Sequence, residues 1–201
     1  MDTCLQISAT LGSVSASRLA FRVRAKNVWT RDIYLFNRLC SDEASGERRI
    51  DPARVSVLVE GETLRLSKQL FEVPDAIDVE SPEVPLVSRL APEAVLEEEI
   101  ALALPARESH PYLRSSASSS AAAPASASHA QKRICERLVF TLGYFVAKDS
   151  RWVREVTVGG EKALATDYGL AIQTNQSVSV TLERVRSDCL VGADPLRRLK
   201  G

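Results

Sequence analysis

Leu5, Ile7, Ala9 and Leu11 alternate with Gln6, Ser8 and Thr10, which is the two-residue period of a strand with one buried and one wet face. Leu19, Phe21, Val23 and Ala25 repeat the pattern against Arg22, Arg24 and Lys26. After a break at 27–32 that carries Trp29, residues 33–39 predict a third strand. Residues 54–60 and 63–70 flank Gly61 and predict a hairpin whose second strand places Leu64, Leu66 and Lys68 on one side. Ile100, Leu102 and Leu104 alternate with Glu97, Glu99, Ala101 and Ala103, which sends Glu98 to the face opposite its two acidic neighbours. A short helical turn at 92–98 is the rival assignment, since Glu, Ala and Leu favour helix.

The densest apolar run lies at 137–148, with Leu138, Val139, Phe140, Leu142, Tyr144, Phe145 and Val146, and predicts a central strand. Residues 152–158, Gly159-Gly160 and 161–165 have the form of a hairpin, because two glycines supply the positive φ values of a primed turn. Residues 166–169 predict a turn, 177–185 a closing strand, and the segment from Ser187 onward a short cap or frayed end. Between these periodic stretches, Pro74, Pro82, Pro85 and Pro92 mark 73–92 as an extended crossover along the sandwich edge, because each proline removes a backbone donor.

Residues 115–130 contain 14 Ser or Ala out of 16, too little apolar bulk to repay the entropy of ordering them. They predict a mobile loop or tether. With about nine or ten short strands and no long helix, the expected fold is all-β: an antiparallel, immunoglobulin-like β-sandwich. A single domain over residues 1–201 is expected, interrupted by a flexible loop at about 107–133, because the part beyond the tract has too few strands for its own core. The number and spacing of strands resemble immunoglobulin-like and fibronectin-like sandwiches. That resemblance is one of architecture, since Trp29 and Trp152 do not sit between cysteines as in antibody domains. Such sandwiches host many unrelated activities.

Composition changes this picture little. Hydrophobic content is 45%, charged content 26%, and 26 basic residues balance 26 acidic ones, so net charge selects no partner. Apolar runs stay short of the roughly 18 residues that a membrane helix requires, and the start, Met1-Asp2-Thr3-Cys4-Leu5-Gln6, lacks a basic region followed by an apolar one. A cytoplasmic protein is expected. Cys4, Cys40, Cys135 and Cys189 are scattered, without a C-x-x-C pair or nearby His, and read as reduced, isolated thiols; two disulfides are the alternative in an exported protein.

Candidate chemistry is sparse. The two histidines, His110 and His129, lie beside or within the Ser/Ala tract, where a base is hard to hold beside a nucleophile, so His110 reads as an exposed loop residue. Glu93, Glu97, Glu98 and Glu99 form an acidic cluster, and Asp42, Glu43, Glu47 and Asp51 a polar loop, neither with calcium-loop spacing. Trp29, Tyr34, Phe36, Phe140, Tyr144, Phe145 and Trp152 read as core before they read as a ligand groove. Arg22, Arg24 and Lys26 share one face of a strand and make a basic stripe, the one nominated interaction surface. Zero net charge and the absence of interleaved exposed aromatics argue against nucleic acid as the partner.

No catalytic, cofactor-binding or metal-ligating residue is nominated, and no cofactor is expected. The expected function is a non-enzymatic protein-interaction or assembly module whose partner is another protein or a second copy of itself. The alternatives are a small-ligand or carbohydrate-binding module using exposed Trp or Tyr, and an enzyme with a carboxylate or metal site assembled from distant residues.

Overall fold

Alternation sorts the side chains into two faces and the faces close on each other. A computed structural model describes residues 4–42, 48–74, 84–112 and 131–191, and within them the chain is an all-β sandwich. Strands β1 (Leu5–Val14), β2 (Arg18–Asn27) and β9 (Val95–Ala103) form one sheet, in the order β1-β2-β9 and antiparallel throughout.

The larger sheet is built from β3 (Ile33–Arg38), β6 (Ser56–Glu60), β7 (Thr63–Lys68), β8 (Leu86–Leu90), β10 (Ala106–Arg107), β11 (Gln131–Phe145), β12 (Val153–Val158), β13 (Glu161–Thr166) and β14 (Gln176–Val191). A small hairpin, β4 (Cys40–Asp42) with β5 (Arg48–Ile50), and one short helix, α1 (Tyr168–Thr174), complete the described elements. The fourteen described strands exceed the nine or ten expected, because several are only two or three residues long and leave no periodic trace.

The central strand is β11, as its apolar density requires. One side of it pairs antiparallel with β14; the other pairs first with β7, in parallel from Arg137↔Thr63 to Leu142↔Lys68, and then with β3 at Tyr144↔Leu35. The change of partner falls at Gly143, where an added Cβ would lie 2.7 Å from Cβ and 2.9 Å from Cα of Gln69. Only glycine lets the chain leaving β7 pass this close.

The small sheet covers the half of the large sheet made by β14, β11 and β7. Phe21 of β2 meets Phe140 of β11 edge-on with ring centroids 5.7 Å apart, and β1 runs beside β14. The main core joins strands from both sides of the Ser/Ala tract, among them Leu5, Leu19, Phe21, Leu64, Leu66, Ile100, Leu138 and Phe140. Beyond the small sheet, β3, β8, β13 and β12 extend as a wing. One face of the wing buries Phe36, Val87 and Phe145 with Ala171 of α1, and the other buries Leu86, Ala163 and Ala165 with Cys40 of β4.

Three local expectations are corrected. The proline-rich crossover contains β8, an interior strand between β3 and β13, because Pro85 and Pro92 fall outside residues 86–90 and leave their donors intact. The expected tail from Ser187 is strand through Val191, with Ser187, Cys189 and Val191 buried. The turn at 166–169 opens α1, with Asp167 as N-cap accepting from Leu170 N. Of the span 107–133, the outer ends are paired: Arg107 in β10, Ser109 bridged to Val57, and residues 131–133 in β11. The Ser/Ala tract itself lies outside the described residues, as do His129, Glu43 and Glu47.

Candidate functional site

The basic stripe is where alternation puts it: Arg22 and Arg24 are exposed and Lys26 is half-buried, all on the outer face of β2. Register sets an acidic stripe of β9 against it, with Arg22 opposite Glu99 and Arg24 opposite Glu97. Arg18 reaches Glu99 at 3.2 Å, Arg24 reaches Glu97 at 3.7 Å, and Lys26 reaches Glu93 at 2.6 Å. Each exposed pair adds about 0–1 kcal/mol to stability, and together they cancel most of the stripe's outward field.

Glu98 points the other way. Its carboxylate accepts from Lys68 Nζ across the sandwich, joining β9 of one sheet to β7 of the other. The Lys68 side chain is 0% exposed and that of Glu98 20% exposed, and the ammonium also donates to Pro52 O at 2.6 Å. A charge this buried requires both acceptors, and the pair fixes how the sheets sit on one another. Asn27, also fully buried, plays a similar part at the end of β2, donating to Leu90 O and Arg31 O and accepting from Trp29 N. Neither role was visible in the sequence, although Lys68 on an apolar face was the one available signal.

None of the four cysteines is in a disulfide. Two are not isolated, contrary to the sequence reading: Cys135 stands opposite Ser187 and Cys189 opposite Arg133, so the two lie diagonally across the β11–β14 ladder, both buried. A hydrogen bond with Cys189 holds the Cys135 thiol above the ordinary range, and burial acts in the same direction. Such a thiol is a poor nucleophile. His110 is half-buried and not an exposed loop residue: its ring meets Phe71 edge-on at 4.2 Å, Nδ1 accepts from Tyr112 N, and burial lowers its pKa.

Of the aromatic residues, Phe36, Phe140, Tyr144 and Phe145 are buried, while Trp29 and Trp152 are half-buried and pack against separate clusters. An open concavity of about 390 Å³ lies beside Thr30, Arg31, Asp32, Tyr34 and Lys148. Two of its charged groups are engaged: Asp32 pairs with Arg89 at 2.8 Å, and Arg31 donates to Ala147 O at 3.0 Å. Among the described residues, no three His, Cys, Asp or Glu side chains cluster to hold a metal ion. No helix of these residues is long and apolar enough to cross a membrane.

The flank where β1 lies beside β14 has a different character. From Leu5 to Val14, β1 carries no charged residue, and neither do residues 176–182 of β14. Among the described residues β1 pairs only with β2, and on the outer side of β14 the short β10 meets only Cys189 and Leu190. Leu11 and Val14 are 36% and 39% exposed. Ile7, Ala9, Val178, Val180 and Leu182 are only partly covered and continue the core outward.

Among the described residues, three other edge strands, β9, β12 and β6, carry charge or cover. Glu97, Glu98 and Glu99 lie along β9, and Arg154 and Glu155 along β12. The rim of β6 is covered by Ser109, bridged to Val57, and by Glu108, which accepts from Val59 N at 3.0 Å. Open edges in soluble sandwiches are ordinarily blocked in these ways.

Comparison with known proteins finds no match: no family model fits the chain, and no curated protein or solved structure is significantly similar to it.

Proposed function

We propose that this chain is a non-enzymatic protein-interaction and assembly module that takes an extended segment onto the β1 edge by strand addition. The observation that carries the reading is that β1, ten residues without a charge, hydrogen-bonds among the described residues only to β2 and lies next to partly covered apolar side chains. Main-chain hydrogen bonds supply affinity in such a mode, and alternate side chains of the added strand reach the apolar rim. The immunoglobulin-like likeness rests on strand number and spacing and adds nothing to this reading. Four cysteines outside any disulfide fit a reducing, cytoplasmic setting.

The competing surface is the stripe of Arg22, Arg24 and Lys26, and salt separates the two. Binding through an uncharged main-chain edge is nearly independent of ionic strength, whereas binding through three exposed cations weakens as the Debye length shrinks from about 10 Å at 0.1 M salt to about 3 Å at 1 M. A fluorescent synthetic peptide copying residues 5–14 serves as probe. It is expected to bind with little salt dependence and to lose affinity when Ser8→Lys and Thr10→Lys place charges on the edge. Binding that fades with salt and disappears on charge reversal of Arg22, Arg24 and Lys26 defeats the edge reading in favour of the stripe.

A further inference from the structure

Where the start of β11 meets the end of β14, the core holds a group of side chains that strand addition does not use. We infer that Cys135, Cys189 and Ser187 make a buried site for a soft monovalent metal ion, copper(I), ligated by the two sulfurs. The inference is independent of the β1 edge.

Register brings the three side chains together. Cys135 of β11 stands opposite Ser187 of β14, and Cys189 lies two residues further along the same face of that strand. Cys135 and Cys189 are 0% exposed and Ser187 2%. The two thiols are hydrogen-bonded to each other, so their sulfurs are already in contact. Diagonal partners on an antiparallel ladder keep their Cα atoms about 7–8 Å apart. That is at or beyond the roughly 7 Å limit of an unstrained disulfide. An ion about 2.3 Å from each ligand instead spans sulfurs up to about 4.6 Å apart.

Ser187 is the independent sign. Among the described residues its buried Oγ has no hydrogen-bond partner, a costly state for a hydroxyl in apolar surroundings. A neutral thiol is a weak acceptor, whereas a thiolate is a strong one, so the hydroxyl gains a partner once the cysteines lose their protons. A metal ion brings this about: as it binds, each thiol releases its proton to solvent and each sulfur shares an electron pair with the ion. The step transfers no electron and needs no oxidant.

The donor set selects the ion. Thiolates favour soft metals, but zinc takes four ligands, and among the described residues no third His, Cys, Asp or Glu joins the two cysteines. The surroundings are apolar, with Val185 and Val191 on the same face of β14 and Ala106 paired with Cys189 from β10. The neighbouring carboxylates are committed, Asp188 to Lys132 at 2.8 Å and Glu108 to Val59 N at 3.0 Å. Arg133, opposite Cys189, offsets the negative charge of a dithiolate. A monovalent ion satisfied by two sulfurs fits this set, and copper is in that state under reducing conditions.

The test uses the full chain, reduced and refolded from urea without oxygen in the presence of copper(I), so that burial does not bar entry. After a copper(I) chelator has stripped weakly held metal, one copper per chain should remain, with a thiolate-to-copper absorption band in the near ultraviolet. Cys4→Ser and Cys40→Ser should keep the metal. Cys135→Ala and Cys189→Ala should lose it, while circular dichroism shows each variant folded. The urea midpoint of the parent should rise with copper(I), a readout that needs no variant. Ser187→Ala should hold copper about tenfold more weakly against the chelator. An unchanged affinity in that variant overturns the part given to the hydroxyl. A refolded parent that retains no copper, or copper retained undiminished without Cys135 and Cys189, overturns the inference.

Discussion

Replacing Glu98 by Gln keeps the shape of the side chain and removes its charge, leaving the Lys68 ammonium buried with Pro52 O, 2.6 Å away, as its remaining strong acceptor. Two charges 4 Å apart at an effective dielectric of about 20 attract by about 4 kcal/mol, and removing one partner of a buried pair costs about 3–5 kcal/mol. Lys68→Met is the gentler change. Glu98 keeps 20% of its side-chain surface in water and can turn toward it, so the expected loss is about 1–2 kcal/mol. The double variant Lys68→Met, Glu98→Leu abolishes both desolvation penalties and should lie within about 1 kcal/mol of the parent, or above it.

Urea denaturation of the parent, Glu98→Gln, Lys68→Met and the combined Lys68→Met, Glu98→Gln variant closes a double-mutant cycle with a coupling energy of a few kcal/mol. In thermal scans, Glu98→Gln should lower the Tm by roughly 6 to 20 °C for a chain of this size. The asymmetry is the decisive result: if Glu98→Gln costs no more than Lys68→Met, the buried ammonium is not held by this carboxylate and the reasoning fails.

Gly143→Ala drives a Cβ to within 2.7 Å of Gln69 Cβ and should cost about 1–3 kcal/mol by chemical denaturation; a neutral result would show that the crossing from β7 is not tight. The pKa of His110 is lowered by burial, so as pH falls below about 6.5 the unfolded chain binds its proton first. Stability present above pH 6.5 is thus lost as pH approaches the folded-state value, and His110→Gln should flatten that portion of the profile; an unchanged profile would assign the slope elsewhere. Under native alkylation, half-buried Cys4 should react before buried Cys40, Cys135 and Cys189, which should be labelled only on unfolding; rapid labelling of Cys135 would contradict its raised pKa.

The period of two made most strands legible because it is written in neighbouring residues. β2, the β6–β7 hairpin, β9 and the β12–β13 hairpin with Gly159 and Gly160 at positive φ all fall close to where alternation places them. The short strands β4, β5 and β10 were illegible, since two or three residues cannot display a period. The β8 strand was masked by prolines that bound it without entering it. At the candidate site, alternation correctly set Arg22, Arg24 and Lys26 on one face and turned Glu98 from its neighbours. It could not show that Glu97, Glu99 and Glu93 stand against that stripe, because register between β2 and β9 joins residues far apart in the chain.

By itself, then, the sequence determined the class of the fold, the inward and outward sides of its principal strands, and the absence of charge along residues 5–14. These are local properties, set by which neighbouring side chains prefer water. Tertiary structure alone decided that β11 pairs with β7 in parallel before turning to β3, that Lys68 finds Glu98 across the core, and that Cys135 meets Cys189. It also decided that charge-free β1 comes to lie beside β14. Each of these is a choice of partner between distant segments, settled by the packing of whole faces against one another, and no short-range pattern records it.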